Sequence, residues 1–157
     1  MTEVALRTVE EADLDALFAM MRDPEAVRMA AFTVPDPDDR ATFDARAARS
    51  RADPDVTERA ITCDGRLVGS IASFVMEGDT ELTYWIDRAV WGQGIASRAL
   101  GLFLETVRVR PLHARAASDN AGSLRVLEKS GFSVVGKEVS YAAARGGEIE
   151  ETILRLG

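Results

Sequence analysis

The stretch Tyr84–Leu104, YWIDRAVWGQGIASRALGLFL, determines the fold that we expect for the rest of the chain. It predicts an apolar strand, a turn, a glycine-spaced loop and a helix, in that order. Gly92 and Gly94 let the backbone approach a ligand closely and adopt conformations that a side chain forbids. The first turn of the helix leaves N–H groups without partners at the positive end of the helix dipole. This arrangement predicts a binding site for the phosphate or diphosphate of a ligand.

Other phosphate-binding motifs do not fit these residues. The loop does not end in Gly-Lys-Ser/Thr, as a P-loop does, and it lacks the third glycine of a dinucleotide-binding loop. Two glycines around one residue also occur in ordinary tight turns, and the local pattern alone leaves that alternative open. A second motif further along the chain favours the ligand site.

The composition is that of a soluble globular domain. Of 157 residues, 46% are hydrophobic, yet no apolar run reaches the length of a membrane span. The formal net charge of −7 argues against a nucleic-acid partner and mildly favours a cationic substrate. The N-terminal sequence lacks a signal-peptide layout, and the single cysteine, Cys63, cannot form an internal disulfide. We therefore expect a cytoplasmic protein with no membrane or nucleic-acid partner, in which Cys63 is a small core residue.

The order of predicted elements indicates one domain that covers residues 1–157. Asp64-Gly65 and Arg145-Gly146-Gly147 predict two hairpins, and Asn120 is a natural N-cap for a helix. The elements are a strand, helices, three strands, a helix, a strand, a helix and two strands. Because hairpins give antiparallel neighbours and the two later helices give parallel crossovers, we expect a mixed sheet.

Two motifs, in this order, resemble the GNAT family of N-acetyltransferases, and within it the branch of the ribosomal-protein alanine acetyltransferases RimJ and RimL. The first, Trp91-Gly92-Gln93-Gly94-Ile95-Ala96, is similar to the family's acetyl-CoA loop, Arg/Gln-x-x-Gly-x-Gly/Ala. Trp91 stands where most members have arginine or glutamine, but Trp-Gly-Lys/Gln-Gly is familiar in the RimJ/RimL branch. The second, SDNAGSLRVLEKSGF at Ser118–Phe132, is similar to that branch's Asn-x-x-Ser-x-x-x-Leu-Glu-Lys-x-Gly-Phe.

The resemblance implies the GNAT fold, an α+β architecture with acetyl-CoA as co-substrate and no metal. Its mixed sheet has about seven strands, splayed between the fourth and fifth, with about four flanking helices. The backbone amides of Gly92, Gln93, Gly94, Ile95 and Ala96 would hold the diphosphate, with help from the Ser97 hydroxyl. The backbone of Trp85 and Ile86 would pair with the pantetheine arm as an added strand, and Asn120 would meet the cofactor from the other side of the splay.

The resemblance also implies direct transfer of the acetyl group to a primary amine. A backbone N–H near Trp85 or Ile86 would stabilise the charge that develops on the acetyl oxygen. Many members protonate the leaving thiolate with a tyrosine, but the matching position here is Leu127. Ser123 is therefore the candidate hydroxyl, and a helix-start serine with a purely structural role is the alternative.

Two further titratable residues are candidates for the base that accepts the proton of the amine. Glu81, at the start of the splayed strand, is the candidate base, and a solvated strand-end carboxylate is the alternative. The only histidine, His113, is expected to be structural or to line the acceptor cleft rather than to act in catalysis.

The acceptor is predicted only as a class. An α-amino group of pKa about 7.7–8.0 loses its proton at neutral pH at a smaller free-energy cost than a lysine of pKa about 10.4. A protein N-terminus or a small-molecule amine is therefore the expected partner. The loop from Phe32 to Asp39 is expected to border the acceptor site, where its three aspartates either attract a cation or are simply solvated.

Two rival functions stay open. One is a domain of the same fold that binds acyl-CoA as a sensor or partner-binding module without transferring the acyl group. The other is a different nucleotide-binding α/β domain. Homodimers are frequent in the family that the chain resembles, and the sequence leaves the oligomeric state open.

Overall fold

The computed structural model describes residues 2–157 as one seven-stranded sheet flanked by helices. The strands are β1 (Val4–Arg7), β2 (Thr57–Cys63), β3 (Arg66–Met76), β4 (Asp79–Ile86), β5 (Leu112–Ala117), β6 (Ser133–Ala142) and β7 (Gly147–Leu156). The α-helices are α1 (Leu14–Met21), α2 (Pro24–Ala30), α3 (Arg40–Ala52), α4 (Ile95–Thr106) and α5 (Ala121–Lys129). Among residues 2–157, no helix combines the length and the apolar character that crossing a membrane requires.

The first four strands form an antiparallel meander. β2 and β3 are joined at Asp64 and Gly65, whose φ angles of 53° and 82° are those of the two-residue turn that matches strand twist. β3 pairs with β4 from Gly69↔Ile86 to Met76↔Asp79, and β1 pairs with the outer edge of β2. The predicted hairpin at Asp64-Gly65 is confirmed.

The sheet opens between β4 and β5. These strands are parallel and pair at three positions, from Thr80↔Leu112 to Leu82↔Ala114. The remaining residues of β4, Thr83 to Ile86, have no strand beside them on that edge. The predicted mixed sheet, splayed between the fourth and fifth strands, is therefore confirmed.

The last three strands follow an order that the element sequence did not specify. The strand order is β1-β2-β3-β4-β5-β7-β6, so β7 lies between β5 and β6. Because β7 is antiparallel to both, β5 and β6 run in the same direction without touching. The crossover through α5 is thus parallel, as predicted, but it skips one strand position.

The core fixes α4 and α5 on one face of the sheet. α4 buries Ile95, Ala99, Leu100 and Phe103, which are all at most 2% exposed, and α5 buries Leu127 in the same cluster. Each fully buried large side chain contributes about 1.5–3 kcal/mol. Cys63, predicted to be a core residue, is half-buried and packs against the edge of this cluster. The start of each helix is consequently held at the open edge of β4.

Candidate active site

A cavity of about 630 Å³ lies where the sheet opens. Its walls come from the end of β4, the loop before α4, the first turn of α4, one side of α5 along its length, and one side of α2. The predicted site residues that line it are Trp85, Ile86, Gly92, Gly94, Ile95, Ala96, Ser97, Asn120 and Ser123. Gln93 and Glu81 are not among the lining residues. A second cavity of about 520 Å³, beside α1 and the start of β3, contains none of the predicted residues.

The loop before α4 has the backbone that its glycines were expected to allow. The φ angles of Gly92 and Gly94 are 79° and 75°, in the left-handed region that side chains disfavour. Among residues 2–157, no backbone or side-chain acceptor takes a hydrogen bond from the N–H groups between Gly92 and Ala96. These donors lie at the positive end of α4, so the loop is suited to binding an anion.

Arg98 holds this loop from outside, a role that the sequence reasoning missed. Its guanidinium donates to the carbonyl oxygen of Gln93 at 3.2 Å and to that of Thr2 at 3.0 Å. It also reaches the carbonyl oxygen of Gly94 at 3.5 Å. Arg98 therefore ties the loop carbonyls to the N-terminal segment.

Of the two backbone positions predicted to pair with the cofactor, Trp85 and Ile86, only Ile86 faces the open edge of β4. The carbonyl of Trp85 lies against Gly69 of β3, and the N–H of Asp87 donates to the Val68 carbonyl at 2.7 Å. Because successive residues of a strand turn their backbone groups to opposite edges, the N–H and C=O of Ile86 face the opening. The Ile86 carbonyl accepts from the Trp91 indole at 2.9 Å, and the Trp85 indole donates to Met20 at 3.1 Å.

The opposite wall begins with the N-cap of α5. The side-chain oxygen of Asn120 accepts from the backbone N–H of Ser123 at 3.2 Å, which confirms the predicted cap. The Ser123 hydroxyl lies 2.8 Å from the Tyr84 hydroxyl on β4, so a hydrogen bond crosses the gap. Burial raises the pKa of Tyr84, and the Ser123 hydroxyl opposes that shift. Leu127, at the position where the family that the sequence resembles often has tyrosine, is 1% exposed in the core and does not line the cavity.

Glu81 lies on the other face of β4, inside a charged cluster. It is 5% exposed, and its carboxylate is 3.6 Å from Nε of Arg115 on β5. Burial raises the pKa of Glu81, while Arg115 and His113 pull it down. Arg115 also pairs with Glu138 at 3.0 Å and with Glu151 at 3.4 Å. His113 is opposite Glu81 in the ladder, and its Nδ1 is buried with no hydrogen-bond partner among residues 2–157.

The N-terminal half of the chain reaches the cavity through α2 rather than through the loop expected there. Ala26, Met29 and Ala30 line it, and no residue from Phe32 to Asp39 does. The loop's aspartates serve local structure. Asp36 accepts from the N–H of Asp38, Asp38 pairs with Arg22, and Asp39 caps α3 through the N–H of Thr42.

The cavity also has a cationic side that the motifs did not indicate. Arg125 and Lys129, one turn apart on α5, line it and are exposed. Hydrophobic spacing cannot reveal such residues, because they lie on the solvent face of an amphipathic helix. Among residues 2–157, no group of three or more His, Cys, Asp or Glu side chains is arranged to hold a metal ion.

Comparison with known families gives one match across most of the chain. The family model described as an acetyltransferase (GNAT) domain matches residues 3–133, which include the loop before α4 and all of α5. None of the curated proteins compared with the chain matches it.

Solved structures share the fold. RimJ of Mycobacterium smegmatis in complex with CoA-disulfide is 22% identical, with a TM-score of 0.82 over 98% of this chain and 81% of that one. The ribosomal-protein-alanine N-acetyltransferase of Brucella melitensis is 23% identical, with a TM-score of 0.75 over 96% and 98%. The spermidine N-acetyltransferase of Vibrio cholerae, in complex with CoA and spermine, is 14% identical, with a TM-score of 0.77 over 97% and 95%.

Proposed function

Because the chain belongs to the GNAT acetyltransferase family, we propose that it transfers the acetyl group of acetyl-CoA directly to a primary amine. One observation carries the proposal. The unpartnered N–H groups between Gly92 and Ala96 and the open edge of β4 border the same cavity. The first feature suits a diphosphate, and the second suits an extended amide-containing arm.

The residues around the cavity fit acetyl-CoA. The loop N–H groups, including that of Gln93, would bind the diphosphate, and the Ser97 hydroxyl would add a donor. The Ile86 backbone would pair with the pantetheine arm. The side-chain oxygen of Asn120 caps α5, so its amide nitrogen is the group that would reach the cofactor. When bound, acetyl-CoA supplies an acetyl group activated as a thioester. RimJ of Mycobacterium smegmatis, solved with CoA-disulfide, and the Vibrio cholerae spermidine acetyltransferase, solved with CoA, support this fit through their shared fold.

The chemistry would use groups from both walls of the gap. The N–H of Ile86 faces the opening and would donate to the oxygen on which negative charge develops. The Ser123 hydroxyl would donate to the leaving sulfur. Glu81 lies outside the cavity lining, so it would accept the proton of the amine through water; burial raises its pKa above the ordinary glutamate value, which favours a role as a base.

The acceptor in this proposal is a protein N-terminus or a small-molecule amine. The motif at Ser118–Phe132 and the similarity to the ribosomal-protein-alanine N-acetyltransferase of Brucella melitensis favour a protein acceptor. The similarity to an acetyltransferase with spermine bound favours a small cation, as does the net charge of −7. In this proposal either acceptor would approach beside the α2 residues that line the cavity, Ala26, Met29 and Ala30.

A second candidate function is a domain that binds acyl-CoA without transferring the acyl group. The observation that favours it is Leu127, which is buried in the core where many family members have a proton-donating tyrosine. In that case the cavity serves binding alone.

Thiol release separates these functions. The protein is incubated with acetyl-CoA and a panel of N-terminal peptides, polyamines and amino acids. Acetyl transfer predicts amine-dependent release of free thiol and an acetylated product by mass spectrometry. Acetyl-CoA binding by calorimetry without amine-dependent thiol release would support the binding module. Absence of binding would contradict both.

A further inference from the structure

Tyr84 and Ser123 join the two sides of the opening. Tyr84 lies on β4 just beyond its last pair with β5, and Ser123 lies in the first turn of α5. Their hydroxyl oxygens are 2.8 Å apart, and both residues line the cavity. The backbone N–H of Ser123 is held by Asn120, so the serine has a fixed position when its hydroxyl meets the tyrosine.

The direction of this hydrogen bond follows from the acidity of the two hydroxyls. A phenol, with a pKa of about 10, is a much better donor than an aliphatic alcohol, and a serine oxygen has two acceptor positions. Burial raises the pKa of Tyr84 further, so the phenol keeps its proton at neutral and mildly alkaline pH. The phenol is therefore the favoured donor of this contact, an orientation that leaves the Ser123 hydrogen free to point into the cavity.

We infer that Tyr84 is a positioning residue that directs the Ser123 hydroxyl hydrogen toward the sulfur of the departing thiolate. This inference rests on the proposed acetyl transfer and deepens it. Many family members have a proton-donating tyrosine at the position of Leu127. In this chain Tyr84, on the opposite wall, would act in its place through Ser123. The contact joins residues 39 positions apart, across β4 and α5.

The transfer step is balanced without loss of a proton from either hydroxyl. The amine nitrogen forms a bond to the acetyl carbon, the carbon–sulfur bond breaks, and its electron pair goes to sulfur. The proton that the nitrogen releases to the base is returned through water to sulfur, so the products are an amide and a free thiol and the base is regenerated. During bond breaking Ser123 donates a hydrogen bond to sulfur, and the hydrogen bond from Tyr84 strengthens it by polarising the serine hydroxyl.

Steady-state kinetics of Tyr84→Phe, Ser123→Ala and the double variant test this chain of contacts. Tyr84→Phe should lower kcat by about 3- to 10-fold while the affinity for acetyl-CoA stays unchanged. In the Ser123→Ala background it should have no further effect, because Tyr84 acts only through Ser123. The matched control is Tyr141→Phe, which changes the other tyrosine, 65% exposed on β6, and should leave kcat unchanged.

Titration of bound CoA gives a second readout that needs no acceptor. The ultraviolet absorbance of the thiolate, followed against pH in the complex with CoA, reports the pKa of the bound thiol. Tyr84→Phe and Ser123→Ala should both raise that pKa, and Tyr141→Phe should not. An unchanged thiol pKa in Tyr84→Phe, or additive effects of the two substitutions, would overturn the inference. If the wild type acetylated no amine, the proposed function would fail, and the thiol titration would still decide the role of Tyr84.

Discussion

Nη2 of Arg98 donates a hydrogen bond to the carbonyl oxygen of Gln93 at 3.2 Å, from the first turn of α4 back to the loop that precedes it. This contact holds the carbonyl group of Gln93, a residue that does not line the cavity. The N–H groups of the same loop are left without partners among residues 2–157. The anion-binding geometry thus depends on a side chain that lies outside the glycine motif.

Arg98→Ala should weaken acetyl-CoA binding by about 2- to 5-fold, because the loop loses the donors that order it. Arg98→Lys should weaken it equally, since an ammonium group cannot reproduce the forked guanidinium contacts. Calorimetry with acetyl-CoA measures both. Recovery of wild-type affinity in Arg98→Lys would mean that positive charge, rather than loop geometry, is what Arg98 supplies.

Gly94→Val should abolish detectable acetyl-CoA binding while the protein stays folded. The side chain adds bulk at the cavity wall and strains the left-handed backbone by about 1–2 kcal/mol. The matched control is Gly65→Val. Gly65 also has a positive φ angle, and a Cβ atom at this position would contact no other residue, but Gly65 lies in the β2–β3 hairpin. Thermal unfolding and calorimetry compare the two. Equal acetyl-CoA affinity in the two variants would contradict the assignment of the loop.

Arg125→Ala and Lys129→Ala should each lower the affinity for acetyl-CoA by about 2- to 5-fold, since each removes an exposed positive charge that lines the cavity and attracts an anionic ligand. The loss should shrink as ionic strength rises. Arg108→Ala, which removes an exposed arginine that does not line the cavity, is the control. Calorimetry at two salt concentrations measures the affinity for acetyl-CoA in each variant. If Arg125→Ala and Lys129→Ala lowered the affinity no more than Arg108→Ala does, contact of these side chains with the phosphates would be excluded.

Glu81→Gln should lower kcat by about 100-fold or more if Glu81 is the general base. Because burial raises the pKa of Glu81, the ascending limb of the wild-type pH–rate profile should lie above the ordinary glutamate range and should vanish in the variant. Glu151→Gln removes another carboxylate whose pKa burial raises, beside the same Arg115, and should retain the limb. A Glu81→Gln profile that matches the wild type would remove Glu81 from the mechanism.

Asp13→Asn should destabilise the protein at neutral pH by about 1.5–3 kcal/mol. The Arg7 guanidinium, aided by the N–H of Glu10, holds the pKa of Asp13 below its ordinary value. The stabilisation is therefore present above that ordinary value and is lost as the pH falls through the lowered folded-state pKa.

Denaturant unfolding at several pH values measures the effect of Asp13→Asn. Asp15→Asn is the control, because Asp15 pairs with Arg40 while its side chain is 90% exposed, so its loss should have little effect. A difference between wild type and Asp13→Asn that stays constant into strong acid would contradict the role of the carboxylate.

The parts of the site that sequence predicts are those built from neighbouring residues. The residue type alone predicts the left-handed backbone of Gly92 and Gly94. The position of Asn120 directly before a helix predicts that its side chain caps that helix. The splay between β4 and β5 follows from the family resemblance and not from any local pattern. The roles of the individual site residues stay predictions.

The contacts that sequence does not predict join residues far apart in the chain. Tyr84 meets Ser123 only because the α4 crossover brings α5 to the open edge of β4. The α2 wall, in place of the loop from Phe32 to Asp39, depends on how the N-terminal helices pack. The insertion of β7 between β5 and β6 is likewise a choice of sheet order that strand patterns alone do not encode.

A crystal structure of the complex with CoA tests the central claim most directly. The claim predicts the diphosphate within hydrogen-bonding distance of the N–H groups between Gly92 and Ala96, and the thiol end in the gap near Tyr84 and Ser123. CoA bound elsewhere, or a sheet in which β4 pairs with β5 through Ile86, would contradict it.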